Sequence, residues 1–497
     1  MKPLGTITMC FPHIDSSTKT ILSSIMKDAE NYADFCKRLC ERVCSQASSP
    51  LMEYLAFFFS FNISEYYLID QLVESGKVTK MAEPLYLIVK YRRGEAEDLL
   101  KMNRALISAL KAAPNDWIAT QIYLKWRFYA ELNFPTSDTT MRVIERIDQR
   151  VNTRKELEFF KSYLLRIKEI QLMFDFRTDE EIRIGKEILR IAREYDDQVS
   201  VADMLSVLSG NIKFTDPVEA LRLLNSSLEL AEKLGYHYRV GHYYMDLGHL
   251  LGQRYEFDAA IKNLLKFRRM RLSLGLSVII VDTLLSFYWN LIGNGEEALK
   301  RIDLVYKSSQ SLRMTSSFAI AMRTYALINL GKLKEARAEL DASKELASRS
   351  GVAWYRFLWY QMVEGILEKE ECNFEIAMSL LKDVLSYQEE QPVPIIHTVC
   401  LLNLTEIELA MMVDESLDKP SDSSGPWMQK LEDYVYENGV PGVVAQLLLL
   451  KAMFFKKQGR YNDVKKLLAE VKTISASPGL KYLENVVATK FPHIFVK

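Results

Sequence analysis

Cys36, Cys40 and Cys44 stand four apart in CKRLCERVC, so on a helix their thiols form one stripe. With Cys10 and His13 of CFPH the chain offers four or five soft ligands near its start, enough in number for zinc. The spacing argues the other way. Structural zinc sites favour short Cys-x-x-Cys knuckles, whereas a Cys stripe beside Leu39 and Val43 has the pattern of a buried helix face. His242, Asp246 and His249 share a second face. At about 1.5 Å of rise per residue the two imidazoles lie about 10 Å apart along the axis, too far for one ion. A polar groove face is the reading taken, and no metal or other cofactor is expected.

Lys262, Lys266, Arg268, Arg269 and Arg271, with Arg254 nearby, gather positive charge that could meet phosphate, RNA included. Glu256 and Asp258 oppose it locally. Over the whole chain 64 Lys and Arg stand against 65 Asp and Glu, a net charge of -1, so no global field draws in nucleic acid. A charged outer helix face is the first reading and an RNA contact the second. The chain contains no G-x-x-x-x-G-K-[ST], no G-x-S-x-G, no H-E-x-x-H and no kinase signature set. Neither a nucleotide motor nor an enzyme is expected.

The opening MKPLGTITMCFPHIDSSTK lacks the apolar run of a signal peptide. Leu51 to Phe61 is too short to cross a bilayer, which takes about twenty apolar residues. With six Cys in 497 residues, the expectation is a cytoplasmic chain with free thiols.

The elements that must position these residues are helices. The 20 Gly and 14 Pro make up about 7% of the chain, where average usage is roughly 12%. A turn phrase that opens a new apolar helix recurs as DEEIRI, DPVEAL, YEFDAA, NGEEAL, KLKEAR, NFEIAM and RYNDVK. Aligned on Ile182, Ala220, Ala260, Ala298, Ala336, Ala377 and Val464, it repeats at intervals of 38, 40, 38, 38, 41 and 87. The last interval holds two units lengthened by the loop DKPSDSSGP. Within a unit the apolar spacing is helical on both sides of a short turn, as with Tyr244, Leu247 and Leu251 before QRYEFD and Ala260, Leu264 and Phe267 after it.

On these residues the chain resembles the tetratricopeptide-repeat (TPR) family in its long-unit variety. Gly248 with Ala260, Gly365 with Ala377 and Ala452 with Val464 match the family's pair of small residues at a spacing of twelve, and Gly331 and Gly459 match its turn glycine. Ser286 and Thr324 depart from it. The expected fold is all-α, an α-solenoid of stacked antiparallel helix hairpins. A helical cap or small domain covers residues 1–80 and degenerate repeats cover 81–155, with KAAPND as a connector. A TPR-like array spans 156–417, an inserted loop 418–426, and C-terminal repeats with a capping helix 427–497.

The resemblance implies that the first helix of each unit lines a concave groove. Carried across, its positions are His242, Met245, Asp246 and His249, then Thr283, Phe287 and Asn290, then Phe318, Tyr325 and Asn329, then Trp359 and Met362. Such side chains suit apolar or aromatic anchors of a protein partner, a peptide or a helix. The first functional reading is a non-catalytic scaffold or adaptor. An RNA- or ribosome-associated factor using the basic helix, and a ligand-sensing regulator, are the alternatives.

Overall fold

The computed structural model of the chain describes residues 14–77, 82–93, scattered positions between 104 and 124, and 138–154, 157–174, 178–213, 215–308, 317–350, 358–387, 393–412, 425–477 and 479–491. Cys10, His13, KAAPND and positions 418–424 of the expected loop lie outside the described residues. Two compact units emerge, one of residues 1–246 and 269–277, the other of 247–268 and 278–497. Among the described residues every regular element is a helix.

In the first unit α1 (Ser16–Asp28), α2 (Tyr32–Ser45), α3 (Pro50–Asn62), α4 (Tyr66–Glu74), α5 (Glu83–Arg93) and α6 (Asp138–Thr153) precede two hairpins. These are α7 (Glu158–Phe174) with α8 (Thr178–Glu194), and α9 (Gln198–Ile212) with α10 (Pro217–Leu234). Starts are set by local chemistry. Asp15, Asn31, Ser49, Asp197 and Asp216 each accept a backbone N–H of the first turn, which satisfies a donor the helix itself leaves open. The apolar stretch read from Leu51 to Phe61 is α3. Its Phe57, Phe58, Phe59 and Phe61 share one core with Phe35 and Leu39 of α2, Phe159, Phe160 and Ile167 of α7, and Ala231 and Leu234 of α10.

α11 (His237–Gln253) and α12 (Phe257–Ser273) have residues in both units. The second unit continues with α13 (Ile279–Leu291) and α14 (Gly295–Ser308), α15 (Ser317–Asn329) and α16 (Leu333–Ser350), and α17 (Leu358–Glu370) and α18 (Phe374–Tyr387). α19 (Pro394–Met411) and α20 (Pro426–Asn438), α21 (Pro441–Lys457) and α22 (Tyr461–Ser475), and a final α23 (Tyr482–Lys490) complete it. α19 is apolar enough to pass for a membrane span but is mostly buried here as a core helix.

The repeat seen in the sequence is a physical one. Ala220, Ala260, Ala298, Ala336, Ala377 and Val464 are each the fourth residue of a second helix, and each is fully buried. A Cβ added at Gly248 would stand 3.2 Å from the Ala260 carbonyl oxygen, so the two helices touch where the small pair lies. Five residues before the small one, Tyr255, Gly293, Gly331, Cys372 and Gly459 all have positive φ, from 62° to 77°. The next N–H in each case donates to the carbonyl five residues back over 2.8–3.0 Å, the Schellman closure of a helix end. The chain is therefore a stack of TPR-like hairpins, all-α throughout its described residues. One register differs from expectation: in α8 the fourth residue is Glu181, and Ile182 is only half-buried.

Candidate functional site: the inner face of the first helices

In the first unit the groove positions of α11 are held by polar contacts. Asp246 accepts from Ser206 of α9 at 2.6 Å and from Arg239 at 2.5 Å. Arg239 is itself buried, and Asp203 of α9 accepts from Tyr236 at 3.4 Å. The His242 ring lies 4.3 Å from that of Tyr238. His242 and Met245 are half-buried. Burial raises the Asp203 carboxyl against the pull of Arg239 and Arg166.

In the second unit the expected positions on α13, α15 and α17 come together laterally. Phe287 has its ring 6.1 Å from Phe318 and 4.9 Å from Trp359, and Phe318 and Trp359 are 5.2 Å apart. Asn290 donates to the Met322 carbonyl at 2.9 Å, and Asn329 donates to the Asn290 carbonyl at 2.9 Å and to its side-chain oxygen at 3.2 Å. Thr283 donates to the Ile279 carbonyl of its own helix at 2.8 Å. His249 packs with its ring 6.5 Å from Tyr288. The face is not uniformly open. Phe287 is 3% exposed and Met362 0%, Thr283 and Asn290 are also buried, while Phe318, Tyr325, Asn329 and Trp359 are half-buried.

Beyond Tyr325 the same face carries charge. Glu406 of α19 accepts from Lys369 of α17 at 2.6 Å and from Lys490 of α23 at 2.7 Å. Burial opposes the ionised form, but the two ammoniums hold the Glu406 carboxyl down at about 2. Burial pushes the Tyr325 hydroxyl up to about 12. α23 is also tied to the start of α12. The Tyr482 N–H donates to Asp258 at 2.9 Å, the Tyr482 ring lies 5.1 Å from Phe257, and the Asp258 N–H donates to the Gly479 carbonyl at 3.3 Å. Gly442 at the start of α21 leaves room for Tyr255, whose Cβ stands 2.3 Å from where a Cβ on Gly442 would be. Within the second unit α21 and α23 thus pack back on the start of α12.

The basic residues of α12 differ in their surroundings. Lys262 and Arg269 are exposed and Lys266 half-buried. Arg268 is bound to the buried Asp282 at 2.7 Å, and Arg271, 8% exposed, donates to the Ser277 carbonyl at 2.6 Å. The cysteine stripe faces the core. Cys36 and Cys40 are buried, the Cys40 thiol is 3.3 Å from the Ser60 hydroxyl, and that of Cys44 is 3.3 Å from Ser75. Among the described residues no three His, Cys, Asp or Glu side chains converge as a metal site would need.

The Lys369–Glu406–Lys490 cluster and the Asn290–Asn329 pair were not anticipated from sequence. Asn290 and Asn329 are 39 residues apart, one repeat, and that interval was the available signal. Glu406 and Lys490 are 84 apart and have none.

No protein-family model matches the chain, and no curated protein does. Among solved structures it is similar to the APC/C hetero-tetramer Cut9–Hcn1, with 14% identity over 92% of this chain and 87% of that one and a TM-score of 0.45. It is also similar to the apo form of RapI, with 10% identity over 86% and 97% and a TM-score of 0.32. Naa15/Naa10 bound to HypK-THB is similar at 11% identity over 93% and 85%, with a TM-score of 0.25.

Proposed function

We propose that the chain is a non-catalytic scaffold whose first helices bind a protein partner along their inner face. The observation that carries this reading is the aromatic seam of the second unit. Trp359 packs edge-on and Phe318 tilted against the buried Phe287, yet both are only half-buried, as are Tyr325 and Asn329. Rigid rings with a polar amide beside them are what an apolar anchor of a partner segment uses. Phe287 and Asn290 support the seam from beneath, so they act on the partner through Trp359 and Asn329. The basic helix supports the RNA reading less, because Arg268 and Arg271 already have partners within the chain.

Affinity capture from native lysate, with and without ribonuclease, tests the reading. A protein partner retained after ribonuclease and weakened by Trp359→Ala is the expected result. Capture that vanishes with ribonuclease rejects it.

A further inference from the structure

Five hairpins place Ala at the fourth position of their second helix and a sixth places Val, but α8 places Glu181 there. Twelve residues earlier, where α11 has Gly248, α7 has Glu169. The crossing that pairs Gly248 with Ala260 and Gly365 with Ala377 in later hairpins therefore pairs two carboxylates here, in residues only 3% and 7% exposed. α8 nevertheless packs closely on the next helix, since a Cβ added to Gly185 would stand 2.8 Å from Leu208.

The two acids are not equally compensated. Glu169 accepts from Arg166 at 2.5 Å. Glu181 makes no ion pair among the described residues, and the groups facing it are Glu169 and Arg166 from α7 and Asn211 and Lys213 from the end of α9. On its own helix Asp179 and Glu180 precede it, and Glu180 is engaged by Lys168 and Arg183 at 3.6 and 3.7 Å. Burial makes the ionised form of Glu181 costly, and the Asn211 hydrogen bond and the more distant Lys213 and Arg166 charges offset that only in part.

We propose that the Glu169–Glu181 crossing is a proton-binding site, closed when it holds one proton and loosened when both carboxylates are ionised. Burial raises the Glu169 carboxyl too, against the pull of Arg166, but Glu169 has that guanidinium bonded to it and Glu181 has none among the described residues, so the proton resides on Glu181. Burial, then the neighbouring Glu169 charge, pushes the Glu181 carboxyl up from 4.5 to about 7. Between those two values the closed hairpin holds a proton that the opened one has released. The stabilisation is complete below pH 4.5 and is lost as pH rises through about 7.

Hydrogen exchange of the full chain at pH 5.5, 6.5, 7.5 and 8.5, with each amide corrected for its intrinsic rate, tests this. Opening of the Glu158–Glu194 amides should increase about twentyfold between pH 5.5 and 7.5 and then level off. The amides of α17 and α18 should show no such step. Glu181→Gln, which keeps the shape, and Glu181→Ala, which installs the residue of the sister hairpins, should both stay closed across the range. A flat profile in the parent chain, the same step in either variant, or failure of Glu181→Ala to fold would overturn the proposal.

Discussion

Ala260 and Ala298 have no exposed surface and hold the same position of their hairpins, the one at which Ala260 meets Gly248. Enlarging either to Leu overpacks that contact, and each variant should lose about 1–3 kcal/mol in chemical denaturation. Parent-like midpoints would show that the helices part at no cost. Gly331 tests the turn instead of the contact. Its φ is 69° and nothing lies within 4 Å of an added Cβ, so Gly331→Ala should cost about 1–2 kcal/mol through the backbone alone; an unchanged melt would mean that the turn relaxes. These small residues were legible in the sequence because a tight contact admits few side chains. The left-handed positions were legible only where Gly occupies them. Tyr255 and Cys372 adopt φ of 62° and 64° because the hairpin on either side imposes the turn, and their side chains give no sign of it. Glu181 was hidden differently, since an acid in the first turn of a helix reads as an ordinary favourable charge.

At the scale of the element, helix existence followed from periodicity, while the Asp, Asn and Ser caps that set several starts are a finding of the structure. What the period could not supply was where α23 goes. Its sequence, YLENVVATK, has no strong apolar stripe, and its contacts lie 84 and 224 residues away at Glu406 and Asp258. Such pairings depend on how many hairpins precede the helix. The contacts are unequal in weight. Tyr482 is 3% exposed against Phe257, so Tyr482→Ala should destabilise by about 3 kcal/mol or more. Lys490 is about a third exposed and leaves Glu406 still paired with Lys369, so Lys490→Ala should cost less than about 1 kcal/mol. Thermal melts of the two variants check the order, and a larger loss for Lys490→Ala would mean that charge rather than packing holds α23 in place.

For the molecule as a whole, the repeat implies a row of groove positions, and in the second unit those of α13, α15 and α17 meet through the Phe287, Phe318 and Trp359 rings and the Asn290–Asn329 pair. Which of them stay open to a partner could not be read from spacing, because that depends on how far each hairpin turns on the next. The buried members, Phe287 and Met362, would report stability as much as binding. The half-open Trp359 and Tyr325 are the discriminating positions. On the basic helix Arg268 is unsuited to charge reversal, since Asp282 would lose its partner; Lys262 and Arg269 are exposed and free of that complication. The most direct measurement is the affinity of the captured partner for the parent chain, for Trp359→Ala and Tyr325→Ala, and for the pair Lys262→Glu with Arg269→Glu, at low and high salt. Each aromatic truncation should weaken binding by about 2 kcal/mol or more, while the charge reversals change it little and salt has a shallow effect. Binding that survives both truncations but collapses on charge reversal and falls steeply with salt, as phosphate contacts do, would contradict the assignment of the inner face.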